Sequence, residues 1–117
     1  AAGGRVRASL RESHAGKSTR LSISAVNLAE VAYRLERVWG EDRMLEALAL
    51  IESYPIRIVD VDMGLAVAAA HLKAQHSVSL ADCFAAALAQ RLDATVLTGD
   101  PDFQRLEGAV PVEWLED

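Results

Sequence analysis

The sequence predicts an α/β layered fold with a mostly parallel sheet. Three observations carry that expectation. Short β-type runs alternate with stretches of helical periodicity, the arrangement that builds a sheet covered by helices. Ala94-Thr95-Val96-Leu97 is a short continuous apolar run, the kind buried on both faces of a parallel sheet. The helix expected after Ser79 is apolar almost all the way round, and such a helix is normally enclosed by other elements.

Taken in order, residues 4–16 are expected to form a helix with Val6 and Leu10 apolar among basic positions and Gly16 as the stop. Leu21–Ala25 alternates as a strand does. The spacing of Leu28, Val31, Ala32, Leu35, Val38 and Trp39 predicts a helix over 26–39, closed by Gly40. A second helix over 41–53 carries Met44, Leu45, Leu48 and Ile51 and is broken by Pro55. A strand over 56–61 and an alanine-rich helix over 63–75 follow. Ser79 opens the apolar helix, which runs to about Leu92. After the apolar strand at 94–97, residues 98–103 turn into a short helix. The last strand, Val110–Leu115, is expected at an edge, because Pro111 donates no ladder hydrogen bond.

A chain of 117 residues suits one domain with one core, filled mainly by alanine, leucine and valine because aromatics are few. The single cysteine, Cys83, excludes an intrachain disulfide and a cysteine-based zinc site, and its place in the apolar helix makes it a small core residue. Its solitary thiol is in keeping with a reducing compartment, and a cytoplasmic protein is expected. No apolar run is long enough to span a membrane, and no signal peptide is visible. The net charge of −5 argues against simple coating of nucleic acid. The charge is uneven, however. Residues 1–20 hold Arg5, Arg7, Arg11, Lys17 and Arg20 against Glu12 alone, whereas residues 98–117 hold six acids against Arg105 alone. An acidic site beside a basic flank suits a metal centre that handles phosphates; a solvated helix face accounts for the same charges.

Each of the notable acids has a local explanation. Glu30 falls off the apolar stripe of its helix and has Arg34 four residues on, the spacing of an exposed ion pair. Ser79-x-x-Asp82 has the form of a capping box. Asp100 precedes Pro101 as an N-cap would, and Asp102 lies on the first turn, where negative charge is favoured. Together they ask for more. All four follow strands or sit in the first turns of the succeeding helices, and a parallel sheet gathers such places at one edge. Carboxylates sharing a pocket repel unless a cation neutralises them, and an all-oxygen donor set suits Mg²⁺ or Mn²⁺. The matching chemistry is metal-assisted phosphodiester hydrolysis. His14, His71 and His76 lack ligand spacing, and no glycine-rich phosphate loop is present.

Three segments carry a resemblance. Ile23-Ser24-Ala25-Val26-Asn27-Leu28-Ala29-Glu30-Val31, then Ser79 through Ala89, then Val96-Leu97-Thr98-Gly99-Asp100-Pro101-Asp102-Phe103 resemble the PIN-domain ribonucleases, and most closely the VapC-like toxins of toxin–antitoxin pairs. The likeness covers about residues 20–106, and three motifs in the right order make it specific. It implies a three-layer α/β/α sandwich, an Mg²⁺- or Mn²⁺-dependent endoribonuclease acting on RNA, a homodimer, and neutralisation by a VapB-like antitoxin. Glu30, Asp82 and Asp100 match the family's second, third and fourth acidic positions, and Asp102 an accessory one. Ser24, Asn27 and Thr98 match polar positions that line the site and support the ligands. The basic side chains Arg5, Arg7, Arg11, Lys17 and Arg20 are candidates for tracking an RNA backbone.

The sequence departs from the family at its start. PIN domains open with a central strand ending in the first catalytic aspartate, and nothing before residues 4–16 reads as that strand. The expectation is therefore a single PIN-like domain over residues 1–117 that lacks its first strand, with further residues encoded upstream. A protein beginning at Ala1 would be poorly active, with another segment filling the gap between the strands at 21–25 and 94–97. Two rivals follow: a catalytically impaired PIN-like module acting through antitoxin or RNA binding, and a receiver-like Mg²⁺ domain. The second lacks a lysine beyond the last buried strand, since Lys73 is the last in the chain.

Overall fold

The computed structural model describes residues 20–115. The expected helix over 4–16 and the basic residues Arg5, Arg7, Arg11 and Lys17 lie outside these described residues; Arg20 is exposed. The element order is β1 (Leu21–Ser24), α1 (Ala25–Trp39), α2 (Glu41–Ser53), β2 (Ile56–Val59), α3 (Met63–Gln75), α4 (Leu80–Leu92), β3 (Val96–Thr98), a 3-10 helix (Pro101–Leu106) and β4 (Val112–Trp114).

The α/β alternation is found, and both strand pairs are parallel: β1 with β2, from Leu21–Ile56 to Ser24–Val59, and β3 with β4, from Val96–Val112 to Thr98–Trp114. Among the described residues these are two separate two-stranded sheets, and β1 does not pair with β3. Both β1 and β3 pack against the same helix, α4. The strand expected over 94–97 starts later. Asp93 takes a left-handed conformation (φ 51°), and the Ala94 amide donates to the Ala89 carbonyl at 2.8 Å, so these residues close α4 and leave the ladder to Val96–Thr98. The strand expected over 56–61 ends at Val59, since Asp62 already caps α3 by accepting from the Leu65 amide at 2.8 Å. The Pro111 carbonyl accepts from the Val96 amide at 2.9 Å, a role open to a residue with no N–H.

The core is built on α4, which buries Cys83, Phe84, Ala86, Ala87, Leu88 and Ala89. Leu65, Ala69 and Leu72 of α3 face it, and Val78, Val96, Phe103, Leu106 and Val110 complete the cluster. Alanines on both helices let the backbones approach closely, which compensates for the shortage of large side chains. Cys83 is a free, buried thiol, and burial pushes its pKa up. Outside the core, α1 and α2 pack as a hairpin about Gly40, whose φ of +89° favours glycine and whose amide closes α1 on the Glu36 carbonyl at 2.8 Å. Neither helix buries a residue, and the expected stripe of α1 is only part-covered: Leu28, Ala32 and Leu35 are half-buried, Val31, Val38 and Trp39 exposed. Asp62 and Arg91 join the start of α3 to the end of α4 through two hydrogen bonds of 2.8 and 2.9 Å, and the bonds donated to Asp62 by Arg91 and then by the Leu65 amide hold its carboxyl down to about 2. No helix among the described residues is long and apolar enough to cross a membrane.

Leu65 is completely buried, whereas Met63, two residues earlier on α3, is 82% exposed. Leu65→Ala is expected to cost about 2–5 kcal/mol and to lower Tm by roughly 10 °C or more. Met63→Ala should stay within about 0.5 kcal/mol, and thermal unfolding of the two variants checks the contrast.

Candidate metal centre

Asp82 reaches the site from the first turn of α4. Ser79 caps that helix, its hydroxyl accepting from the Asp82 amide at 3.1 Å. The cap accepts from the Asp82 amide, and the same hydroxyl also favours the charged form of the Asp82 carboxylate, so the local role and the site role are compatible. Asp100 and Asp102 come from the turn after β3. The Thr98 hydroxyl accepts from the Asp100 amide at 3.0 Å, and the Asp100 carboxylate accepts from the Asp102 amide at 2.9 Å, capping the 3-10 helix with Pro101 at its start.

These segments bring the three aspartates together: one carboxylate oxygen from each of Asp82, Asp100 and Asp102 lies within 4.8 Å of the others. Asp82 is half-buried, while Asp100 and Asp102 are exposed. Burial raises the Asp82 pKa first. The Ser79 hydrogen bond opposes that shift, and the negative charges of Asp100, Glu30 and Asp102 add to it. Glu30 is thus near enough to act on Asp82 but is not one of the converging three. Its Oε2 sits 3.5 Å from Arg34 Nη2, the ion pair that the four-residue spacing predicts. The donor set is all oxygen and carries excess negative charge, which fits a hard divalent cation such as Mg²⁺ or Mn²⁺.

The supporting polar residues act mainly by placing backbone. The Ser24 hydroxyl, buried at the end of β1, donates to Asn27 Oδ1 at 2.5 Å and accepts from the Asn27 amide at 3.1 Å. Asn27 Nδ2 then donates to the Ala81 carbonyl at 2.9 Å, next to Asp82 in sequence. This chain of bonds ties the start of α1, which bears Glu30, to the start of α4, which bears Asp82. Sequence reasoning missed a second tie. Arg105 Nη1 donates to the Ser77 carbonyl at 2.7 Å, holding the 3-10 helix beside the loop that leads to Asp82. Lys73 Nζ steadies the same loop through the Val78 carbonyl at 2.7 Å. Bonds from a side chain to a distant backbone carbonyl leave no spacing signal in a sequence. Of the histidines, His71 is exposed and His76 half-buried, and neither belongs to the carboxylate group.

A carboxyl whose folded pKa is raised binds its proton more tightly in the native than in the unfolded state. Its contribution to stability is therefore complete below the ordinary value of 3.8 and is lost as pH rises through the folded value. Metal-free Asp82→Asn is expected to melt at a higher temperature than the wild type at neutral pH and to lose less stability on going from acid to neutral. Thermal melts in chelator across about pH 4 to 7 test this; a wild-type melting temperature at or above that of the variant at neutral pH contradicts it.

Three solved structures are similar in fold. A DNA-bound VapBC complex from Salmonella typhimurium matches with a TM-score of 0.73 and 23% identity, over 92% of this chain and 85% of that one. A VapBC2 complex from Rickettsia felis bound to a promoter DNA fragment matches with a TM-score of 0.69 and 19% identity, over 85% and 77%. A toxin–antitoxin complex from Klebsiella pneumoniae matches with a TM-score of 0.61 and 20% identity, over 82% and 74%. A search of characterised protein sequences gives no match. The family model for the PIN domain matches residues 3–109, nearly the whole chain, and this protein therefore belongs to the PIN-domain family.

Proposed function

We propose that this chain is the toxin of a VapBC-like toxin–antitoxin pair and acts as a divalent-metal-dependent endoribonuclease. The observation that carries the reading is the convergence of Asp82, Asp100 and Asp102 within 4.8 Å in a PIN-domain chain. The three similar structures are toxin–antitoxin or VapBC complexes, which supports a VapB-like antitoxin as partner. A homodimer and a cytoplasmic location belong to the same reading.

Asp82, Asp100 and Asp102 would hold one or two Mg²⁺ or Mn²⁺ ions, with Glu30 joining them from α1. An ion held by these residues would supply an acidified water and charge neutralisation at the RNA phosphate. The protein's own part is positional. Asn27 fixes the start of α4 through the Ala81 carbonyl, Thr98 fixes the turn that carries Asp100, and Arg105 holds the two acid-bearing segments side by side. The half-buried Asp82 carboxylate, whose ionisation burial and the neighbouring acids oppose, would gain from a cation. Arg20, with the basic residues before it, would lie along the RNA backbone.

RNA cleavage in Mn²⁺ tests this, with Asp82→Asn as the comparison. The wild-type gene product should cleave, and Asp82→Asn should lose activity by on the order of a hundredfold or more. A wild type that binds RNA or antitoxin but does not cut under any divalent metal would reduce the protein to a binding module. Asn27→Ala keeps every carboxylate and should still cost about ten- to a hundredfold in rate, through the lost bond to Ala81.

A further inference from the structure

Glu30 stands apart from the aspartates at the level of a single side chain. The three aspartates offer oxygens within 4.8 Å of one another, but Glu30 Oε2 is turned to Arg34, 3.5 Å from Nη2. Glu30 nonetheless belongs to the same electrostatic neighbourhood, since its charge acts on Asp82. Arg34 belongs to it as well, since the charges of Glu30 and Asp100 both act on its guanidinium. The Arg34 side chain is 66% exposed and that of Glu30 29%, so the pair lies at the rim of the site with the cation on the solvent side. Its guanidinium carbon also stands 6.0 Å from the centre of the Tyr33 ring, a contact that survives if Glu30 leaves.

The ion pair is longer than the 2.7–2.9 Å or so of a strong charge-assisted hydrogen bond. An exposed pair of this kind shifts an equilibrium by only about two- to fivefold. A divalent ion held by three carboxylates is a stronger attraction for a fourth. We propose that Arg34 is a positioning residue that competes with the metal for Glu30: it parks the carboxylate at the rim of the metal-free site, and metal capture opens the Glu30–Arg34 pair. This rests on the reading of the acids as metal ligands and adds a residue which that reading does not include. The pairing offsets one negative charge while the site is empty, at the expense of metal affinity. Once Glu30 has moved, Arg34 is left as an exposed cation beside the acids, free to meet a phosphate.

A double-mutant cycle on Mn²⁺ affinity tests the proposal, with free Mn²⁺ counted by electron paramagnetic resonance on the full chain. Arg34→Gln is expected to bind Mn²⁺ about two- to fivefold more tightly than the wild type. Glu30→Gln should bind more weakly, and adding Arg34→Gln to Glu30→Gln should change affinity by less than about 1.5-fold. Unchanged affinity in Arg34→Gln overturns the competition. So does a tightening that persists in full without Glu30, which would make Arg34 only a source of general repulsion. If Glu30→Gln binds as tightly as the wild type, Glu30 is not a ligand, and its assigned role falls together with the competition. If the wild type takes up no Mn²⁺, the metal reading itself fails. Both substituted residues are on the outer part of α1, whose side chains are not buried, so the variants are expected to fold.

Discussion

One constraint bears on several elements at once: one oxygen from each of three carboxylates lies within 4.8 Å of the others although like charges repel. No single element supplies all three. Asp82 is delivered by a buried helix, and Asp100 and Asp102 by a turn after a separate strand. The repulsion is resisted by ties that do not touch the carboxylates. Asn27 reaches the Ala81 carbonyl, Arg105 the Ser77 carbonyl and Lys73 the Val78 carbonyl, so the loop and first turn around Asp82 are gripped from three elements. These donors bond backbone oxygens, so they fix position without forming ion pairs with the three carboxylates.

The burial of α4 follows from the same constraint. A carboxylate at the end of a well-packed helix cannot relax away from its neighbours by moving the helix. Cys83, Phe84, Ala86 and Ala87 pin the first turns of α4 in the core, directly after Asp82. The small side chains on α3 and α4 serve this rigidity, because close backbone approach leaves little freedom for either helix to slide. By contrast, the α1–α2 hairpin buries no residue, and the acid it carries is the one that has turned aside to a cation. Rigid delivery goes with convergence here, and loose delivery with an alternative partner.

Much of the fold was legible in the sequence where local chemistry sets the boundary. The helices over 63–75 and 80–92 match closely because Asp62 and Ser79 are side-chain caps at their starts. The strand before Asp100 was placed too early: Ala94 and Thr95 suit a strand by composition, but the left-handed Asp93 and the Ala94–Ala89 bond spend them on closing a helix. The separation into two parallel pairs was not legible as a topology, because strand partners are set by packing on α4 rather than by the strands' own residues. The apolar stripe of α1 was visible, but its partial exposure was not, since periodicity shows which face is apolar and not how much of it a neighbour covers. Of the residues the sequence singles out, Asp82, Asp100 and Asp102 converge, Glu30 stands beside them on Arg34, and Ser24, Asn27 and Thr98 make backbone-placing bonds nearby. Arg105 could not be named in advance, and Arg34 was visible only as a helix-surface partner.

The local explanations for the acids turn out not to be rivals of the site. The Ser79 hydroxyl caps the Asp82 amide and also favours the charge of its carboxylate, which still converges with those of Asp100 and Asp102. Asp100 caps the 3-10 helix with Oδ1, and a carboxylate has a second oxygen. Glu30 makes the surface ion pair its spacing predicts, yet its charge still acts on Asp82. Weighing each acid singly as either structural or functional therefore poses a false choice. An acid near a helix start is already in a field that favours its charge, and the first turn of a helix after a parallel strand already points to the sheet edge where sites form. The chain meets the cost of gathering like charges with groups that would stabilise those turns in any protein. What distinguishes this group is the convergence of acids from α4 and from the turn after β3, which no one residue carries.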